Sequence, residues 1–399
     1  MIICSQDEYV NCINDLHDKF VLYFFIDNAF VCLYNLDDSS IYLIGVNHID
    51  YNIKFNISDF KCKYIIKYEY KSEVNNIFID LNTYVYYNYA NTLSIDDIFK
   101  KDKLFYGDEC YYLIPIYIIE NKILDAISYI KFNDITNDFI EYHDTINNVI
   151  HHINNSGILY NEDIIYSNMT YYNVAGRPSN VIDNMNLMAI SKKNGERNKI
   201  KSRFDNGKLI QFDYVSFHMK IISDLIGYDY DYNDNIHYNL GIEYFNTDVL
   251  TDEQYEQSKK INFKILYGEH DIDNTFTNKM NKYIRQLYTS FVMDGYITTF
   301  FFKRKIYIEY IDNPTPKKLF NYFIQSFESE HNAIIMNNII KRLQYSNTKL
   351  ILYTYDSFLF DYDLNDGEDL LHDINKLISC IYNTTIKVGN DYQNLYFLN

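Results

Sequence analysis

The chain has 399 residues, with 36 Lys+Arg against 54 Asp+Glu and a formal net charge of −18. Such acidity argues against nucleic-acid binding through bulk charge, because phosphate recognition rests on Lys and Arg displacing counterions. Its composition, 47% hydrophobic and 18% aromatic with only 4 Pro and 12 Gly, excludes a disordered chain and predicts roughly two or three packed domains.

Residues 1 to about 120 are short apolar, β-branched and aromatic runs broken by Asn and Asp. Residues 20–26, 29–34, 40–46, 64–70 and 113–119 read as strands. No apolar run reaches the ~18 residues of a spanning helix, and the first residues lack the basic segment of a secretory signal. The expectation is a soluble, cytoplasmic protein with no membrane partner. Six cysteines without a Cys-x-x-Cys pair read as buried thiols of a reducing compartment rather than a zinc site. From about 123 to 154 the pattern turns helical, with Ile140, Ile146, Val149, Ile150 and Ile153 on one stripe ending near Gly157. The acidic run 228–235 reads as a solvated loop.

Next, an apolar run ends at Asp213, and the chain then turns helical, with Phe217, Ile221 and Leu225 at i, i+4, i+8 and Gly227 as a C-cap. Thr251 and Gln254 form a capping box opening a helix that runs to Gly268. Lys259, Phe263 and Tyr267 share one face of it, while Ile261 and Ile265 point to the core. That face suits a nucleotide, with Lys for phosphate and rings for the base; as a bare stripe it reads first as core aromatics beside a snorkelling Lys. Residues 350–360 are two apolar runs flanking Tyr355-Asp356-Ser357, which predicts a hairpin with Asp356 at its tip. Either aspartate alone reads as a turn cap. Each also sits where burial needs compensation, and a divalent metal is the usual compensator.

Taken in order, these blocks resemble family A DNA polymerases, the bacterial DNA polymerase I family and its phage relatives. Ala175-Gly-Arg177-Pro-Ser-Asn180 is similar to the Thr-Gly-Arg-x-Ser-Ser primer-template block, in a form associated with phage members. Phe212-Asp213-Tyr214 is similar to motif A, Asp-Tyr-Ser-Gln-x-Glu. Lys259 to Gly268 is similar to motif B, Lys-x-x-x-Phe-Gly-x-x-Tyr-Gly, and Tyr355-Asp356-Ser357 takes the place of His-Asp-Glu in motif C. Asn235-Ile-His237, Gly295-Tyr-Ile-Thr-Thr and Phe320-Asn321-x-x-x-Gln325 add supporting matches, and the resemblance covers about residues 150–399.

The resemblance implies an α/β (α+β) chain with a right-hand polymerase fold: palm, fingers and a short thumb, preceded by a β-rich N-terminal domain. The expected boundaries are 1–120 for the N-terminal domain, 121–170 for a helical thumb-like region, and 171–399 for palm and fingers, with the fingers at about 228–300. The implied activity is DNA-directed DNA polymerisation, adding dNTPs to a primer 3′-hydroxyl in phage DNA replication. Asp213, Asp356 and the carbonyl of Tyr214 would hold two Mg2+ ions. Lys259 and His237 would neutralise the triphosphate, with Lys259 as a proton donor. Phe263 would stack on the base, Tyr267 close the pocket, and His218 stand beside the sugar. Arg177, Asn321 and Gln325 would touch the primer-template minor groove, and Lys192, Lys193, Arg197, Lys199, Lys201 and Arg203 would track backbone phosphate.

Five positions depart from the family pattern: Ser216 and His218 replace Gln and Glu in motif A, Tyr255 replaces an Arg, Lys264 replaces a Gly, and Ser357 replaces the motif C Glu. His218 puts discrimination against ribonucleotides in doubt. These departures keep open a single-subunit RNA polymerase-like enzyme and a non-catalytic accessory protein on the same fold. No Asp-x-Glu occurs in residues 1–150; the nearest candidate is Asp27 with Ala29, which reads as a shrunken exonuclease-like domain without nuclease activity, or as an unrelated β-rich scaffold. The charge divides unevenly, with 11 basic and 23 acidic side chains before residue 151 and 25 and 31 after it. The expectation is weak, salt-sensitive DNA affinity supported by a processivity or replisome partner.

Overall fold

In the computed structural model of the chain, the described residues are 1–26, 30–46, 52–67, 78–89, 118, 121, 135–182, 185–193, 195–230, 235–266 and 272–398. They divide into two compact units, Met1–His143 and Asp144–Asn399.

In the first unit, the strands β1 (Ile2–Ile3), β2 (Phe20–Ile26), β3 (Phe30–Asn35), β4 (Ile41–Gly45), β5 (Tyr64–Lys67) and β6 (Phe78–Asp80) form one mixed sheet in the order β1-β4-β3-β2-β5-β6. β2, β3 and β4 are an antiparallel meander, and β5 and β6 continue the sheet in parallel. The strands at 20–26, 29–34 and 40–46 are thus present to within a residue; 113–117, 119, Asp27 and Ala29 lie outside the described residues. Helix α1 (Gln6–Asp15) starts at a Ser5–Glu8 capping box and buries Tyr9 and Cys12. Tyr9, Phe55 and Phe60 then pack edge-on at 5.7–6.2 Å. Helix α2 (Leu81–Tyr89) is entered through Asp80, whose carboxylate accepts from the Thr83 amide at 2.6 Å. Not every thiol is buried as expected: Cys12 and Cys32 are, whereas Cys4 and Cys380 are exposed.

Helix α3 (Asn137–Ser156) crosses the division between the units and ends at Gly157, φ +65°. Within the second unit it is followed by three short strands, at 158–160, 163–165 and 168–170, so the last part of the region expected to be helical is not.

The second unit is built on an antiparallel sheet of β7 (Gly207–Tyr214), β8 (Lys349–Tyr353), β9 (Ser357–Asp363), β10 (Thr384–Gly389) and β11 (Tyr396–Phe397), in the order β8-β9-β7-β10-β11. β7 is central, and its Leu209, Ile210, Phe212 and Tyr214 side chains are buried on both of its faces. Leu209 joins Ile158, Ile190, Ile200 and Leu359 on one face. On the other, Phe212 meets Phe360 edge-on at 5.6 Å and Tyr214 stacks on Phe217 at 4.3 Å. Phe217 opens helix α4 (Phe217–Ile226), which closes at Gly227 in the left-handed conformation.

Helices α5 (Ile236–Phe245), α6 (Asp252–Leu266) and α7 (Thr275–Asp294) follow in sequence. α5 and α6 approach closely at Gly241, where a Cβ would meet Leu250 Cδ1 at 2.6 Å and Ser258 Cβ at 3.0 Å. Helix α8 (Pro316–Arg342) has Thr315 as its N-cap, Pro in its first turn and two basic residues in its last. Its 27 residues reach about 40 Å. Most of its middle is buried, including Glu328, Ser329, Glu330, His331 and Asn332. Helix α9 (Glu368–Ile378) buries Leu370, Ile374 and Ile378, an i, i+4, i+8 stripe.

Candidate active site

The two aspartates come from neighbouring strands. Asp213 is the next-to-last residue of β7 and pairs in register with Ser357, the first residue of β9. Asp356 therefore sits in the turn beside it, at the tip of the β8–β9 hairpin as the sequence predicts, and its carbonyl accepts from the Tyr214 amide at 2.9 Å. Tyr355, just before it, has φ +61°, an uncommon conformation for a bulky residue. Asn332 of α8 holds that turn, donating to the Tyr355 carbonyl at 2.7 Å and the Tyr353 hydroxyl at 2.9 Å.

Three carboxylates, Asp213, Asp356 and Glu328, set the local electrostatics; Lys387 pairs with Asp213 and Arg177 with Glu328. The turn leaves Asp356 accessible, but the walls around it strip water, and Asp213 and Glu328 add negative charge. Together these push its pKa up to about 6. Ser357 carries no charge into this site: its hydroxyl lies 2.6 Å from that of Thr354 and accepts from Gln211 at 2.9 Å.

A cleft of about 230 Å³ opens beside Asp356, lined by Tyr214, Ser216, Phe217, His218, Met219, His237, Phe263 and Leu266. Five of the residues singled out by sequence thus converge: Tyr214, His218, His237, Phe263 and Asp356. Phe263 is 52% exposed, which leaves its ring accessible at the cleft. The capping box that starts α6 is formed, with the Thr251 amide donating to Gln254 Oε1 at 2.9 Å and the Gln254 amide to Thr251 Oγ1 at 3.2 Å. Of the two isoleucines, Ile265 is buried and Ile261 only half-buried; Ser258 and Asn262 seal the core side instead. Tyr267 lies outside the described residues.

His237 is buried at the start of α5, with Nδ1 2.8 Å from Asn262 Nδ2. Burial, reinforced by Lys259, pushes its pKa down to about 4. At neutral pH the ring is uncharged, so it brings hydrogen-bonding capacity rather than the positive charge expected of it. Lys259 is not among the cleft-lining residues. Its ammonium pairs with Glu256 at 2.9 Å and lies 4.2 Å from the Tyr255 ring centroid, and the Glu256 hydrogen bond raises its pKa.

Arg177, Asn321 and Gln325 lie outside the cleft lining. Asn321 and Gln325 are half-buried one turn apart on α8 and share a stripe with Glu328 and Asn332. Arg177 is ion-paired to Glu328, and its guanidinium lies 3.8 Å from the Tyr355 ring centroid.

The basic run at 192–203 is largely spoken for. Arg203 donates to Asp361 at 2.7 Å and to the carbonyls of Ser156 and Gly157 at 2.7 and 2.6 Å, which makes it a structural staple rather than a phosphate contact. Arg197 is bound to the Ile190 carbonyl and the Tyr392 ring, and Lys199 to Glu196. Only Lys192, Lys193 and Lys201 of that run are exposed.

Two residues at the site escape the sequence reading. Lys387, on β10, reaches Asp213 Oδ2 at 2.7 Å; a lone Lys between Ile386 and Val388 gives little warning of it. Glu328 was legible in principle, as a charge inside the apolar run of α8 three residues after Gln325. Among the described residues no group of three or more His, Cys, Asp or Glu is arranged to hold a metal ion.

No protein-family model matches the chain, and no curated protein matches it in sequence. Among solved structures it is similar to the POL domain of Pol1 from M. smegmatis, described in complex with DNA primer-template and dNTP, with a TM-score of 0.50 and 15% identity. The fold is that of a polymerase domain. The match covers 76% of this chain and 56% of the other, so the chain spans little more than half the length of that structure. No helix among the described residues is long and apolar enough to cross a membrane.

Proposed function

We propose that this chain is a template-directed DNA polymerase of family A type, extending a primer 3′-hydroxyl with dNTPs. The observation that carries the reading is the placement of Asp213, near the end of β7, beside Asp356 in the adjoining hairpin turn, next to a cleft that also holds His237 and the exposed Phe263. In this reading the five-stranded sheet is the palm, α5 to α7 are the fingers, and the stretch after His143 is thumb-like. The mixed sheet of the first unit supports an exonuclease-like ancestry for that unit, and the Gly-Arg-Pro-Ser-Asn block supports a phage origin.

The donor set suits Mg2+. Two carboxylates with the Tyr214 carbonyl are hard oxygen ligands, few enough for the ion to keep several waters, and the raised Asp356 marks negative charge that a cation would relieve. Bound there, Mg2+ would supply charge stabilisation at the reacting phosphates and acidify the primer hydroxyl. The chain's own contribution is positioning. Phe263 offers a ring for the incoming base, Phe217 and His218 wall the cleft, His237 offers a hydrogen bond, and Lys259 needs only to leave Glu256 to reach phosphate. Asn321, Gln325 and Arg177 would read the minor-groove face of the primer-template, where acceptors common to all base pairs permit sequence-independent contact.

Primer extension with dNTPs and separately with NTPs, comparing wild type with Asp213→Asn, tests this. Extension with dNTPs that is abolished in the variant is expected. Extension only with NTPs favours an RNA polymerase-like enzyme, and none with either set defeats both enzymatic readings.

A further inference from the structure

Glu328 sits in the middle of α8 with its carboxylate fully sealed from solvent. A buried carboxylate costs several kcal/mol unless paired, and here two other segments supply the partners. Arg177 brings Nε and Nη2 to within 3.1 and 3.0 Å of Oε2. His218 brings Nε2 to within 3.1 Å of Oε1, close but not aligned as a hydrogen bond. A small rotation of the imidazole would make that contact charge-assisted.

Both partners lead to the proposed chemistry. His218 lines the cleft. The Arg177 guanidinium sits over the ring of Tyr355, the left-handed residue immediately before Asp356. Asn332, four residues along the same face of α8, fixes the carbonyl of that Tyr355. One stripe of one helix thus grips the cleft wall and the Asp356 turn together.

We propose that Glu328 is a positioning residue: its carboxylate sets the orientation of the His218 imidazole in the cleft and, through Arg177, the conformation of the turn that carries Asp356. The inference rests on the polymerase reading for its catalytic consequence and on the Arg177–Glu328–His218 geometry for its structural one.

Glu328→Gln keeps the shape and removes the charge. In steady-state single-nucleotide incorporation, the variant is expected to raise the dNTP KM and lower kcat, each by about tenfold or more. Glu328→Gln and His218→Asn should be non-additive on KM, the second adding less than twofold once the first is present. A residue that merely stabilises the fold would lower the melting temperature and give additive effects on KM, which would overturn the proposal. A second readout needs no catalysis: in 15N-histidine-labelled protein, Glu328→Gln should move the His218 ring resonances more than those of any other of the ten histidines. An unmoved His218 signal overturns the inference even if the enzyme is active. If wild type extends no primer, the polymerase reading fails, and the histidine spectrum still decides the role of Glu328.

Discussion

Lys387 offers a quantitative handle on the proposed metal site. Its ammonium donates to Asp213 Oδ2 at 2.7 Å, and the two side chains are only 21% and 29% exposed. A hydrogen bond between charged partners is worth about 1.5–3 kcal/mol; residual solvent access discounts this to about 1–2 kcal/mol. A cation binding Asp213 must displace that bond or share the carboxylate with it. Replacing Lys387 with Met should therefore tighten divalent-metal binding by the same energy, roughly 5- to 30-fold in the half-saturating concentration. Lys387→Arg, which keeps the charge, should stay near wild type. Mn2+ titration followed by electron paramagnetic resonance reads the affinity without DNA, and Mg2+ dependence of primer extension reads it with DNA. A half-saturating concentration that is unchanged, or raised, in Lys387→Met would refute the competition between Lys387 and metal for Asp213.

Other outcomes follow from the same geometry. Phe263→Ala should raise the dNTP KM by roughly 5- to 150-fold, the worth of one base stack at about 1–3 kcal/mol, without moving the urea midpoint, because the ring is already half exposed. Arg203→Ala should cost about 3–5 kcal/mol in urea denaturation, since it strands the sealed carboxylate of Asp361. The pKa of Asp356 is raised to about 6, so in metal-free protein its destabilising charge appears as pH climbs from about 4 to 6. Asp356→Asn should accordingly gain stability over wild type at pH 7 and little at pH 4.5, a difference that saturating Mg2+ abolishes; equal gains at both pH values would contradict it. With only Lys192, Lys193 and Lys201 exposed in the basic run, that run should contribute a slope of about −3 to log K against log salt in DNA binding. The Lys192→Ala, Lys193→Ala, Lys201→Ala triple variant measures it.

Local patterns were legible in the sequence wherever one segment fixes them alone. The strand ending at Asp213, the tip position of Asp356 and the Thr251–Gln254 box each follow from periodicity and turn chemistry within about a dozen residues. What single segments could not give was the partner of each charge. Arg203 and Lys192 look alike in a basic run, yet one is consumed by Asp361, 158 positions away in sequence, and the other meets solvent. His237 has the residue type of a cation, but the packing of α5 against α6 leaves it neutral. The same limit explains Glu328. His218 stands where the family pattern has an acid, and taken alone that reads as a loss. In this fold an acid, Glu328 of α8, lies 3.1 Å from the histidine instead. A substitution that reads as a loss along the chain thus gains a charged neighbour across it, which no single segment predicts.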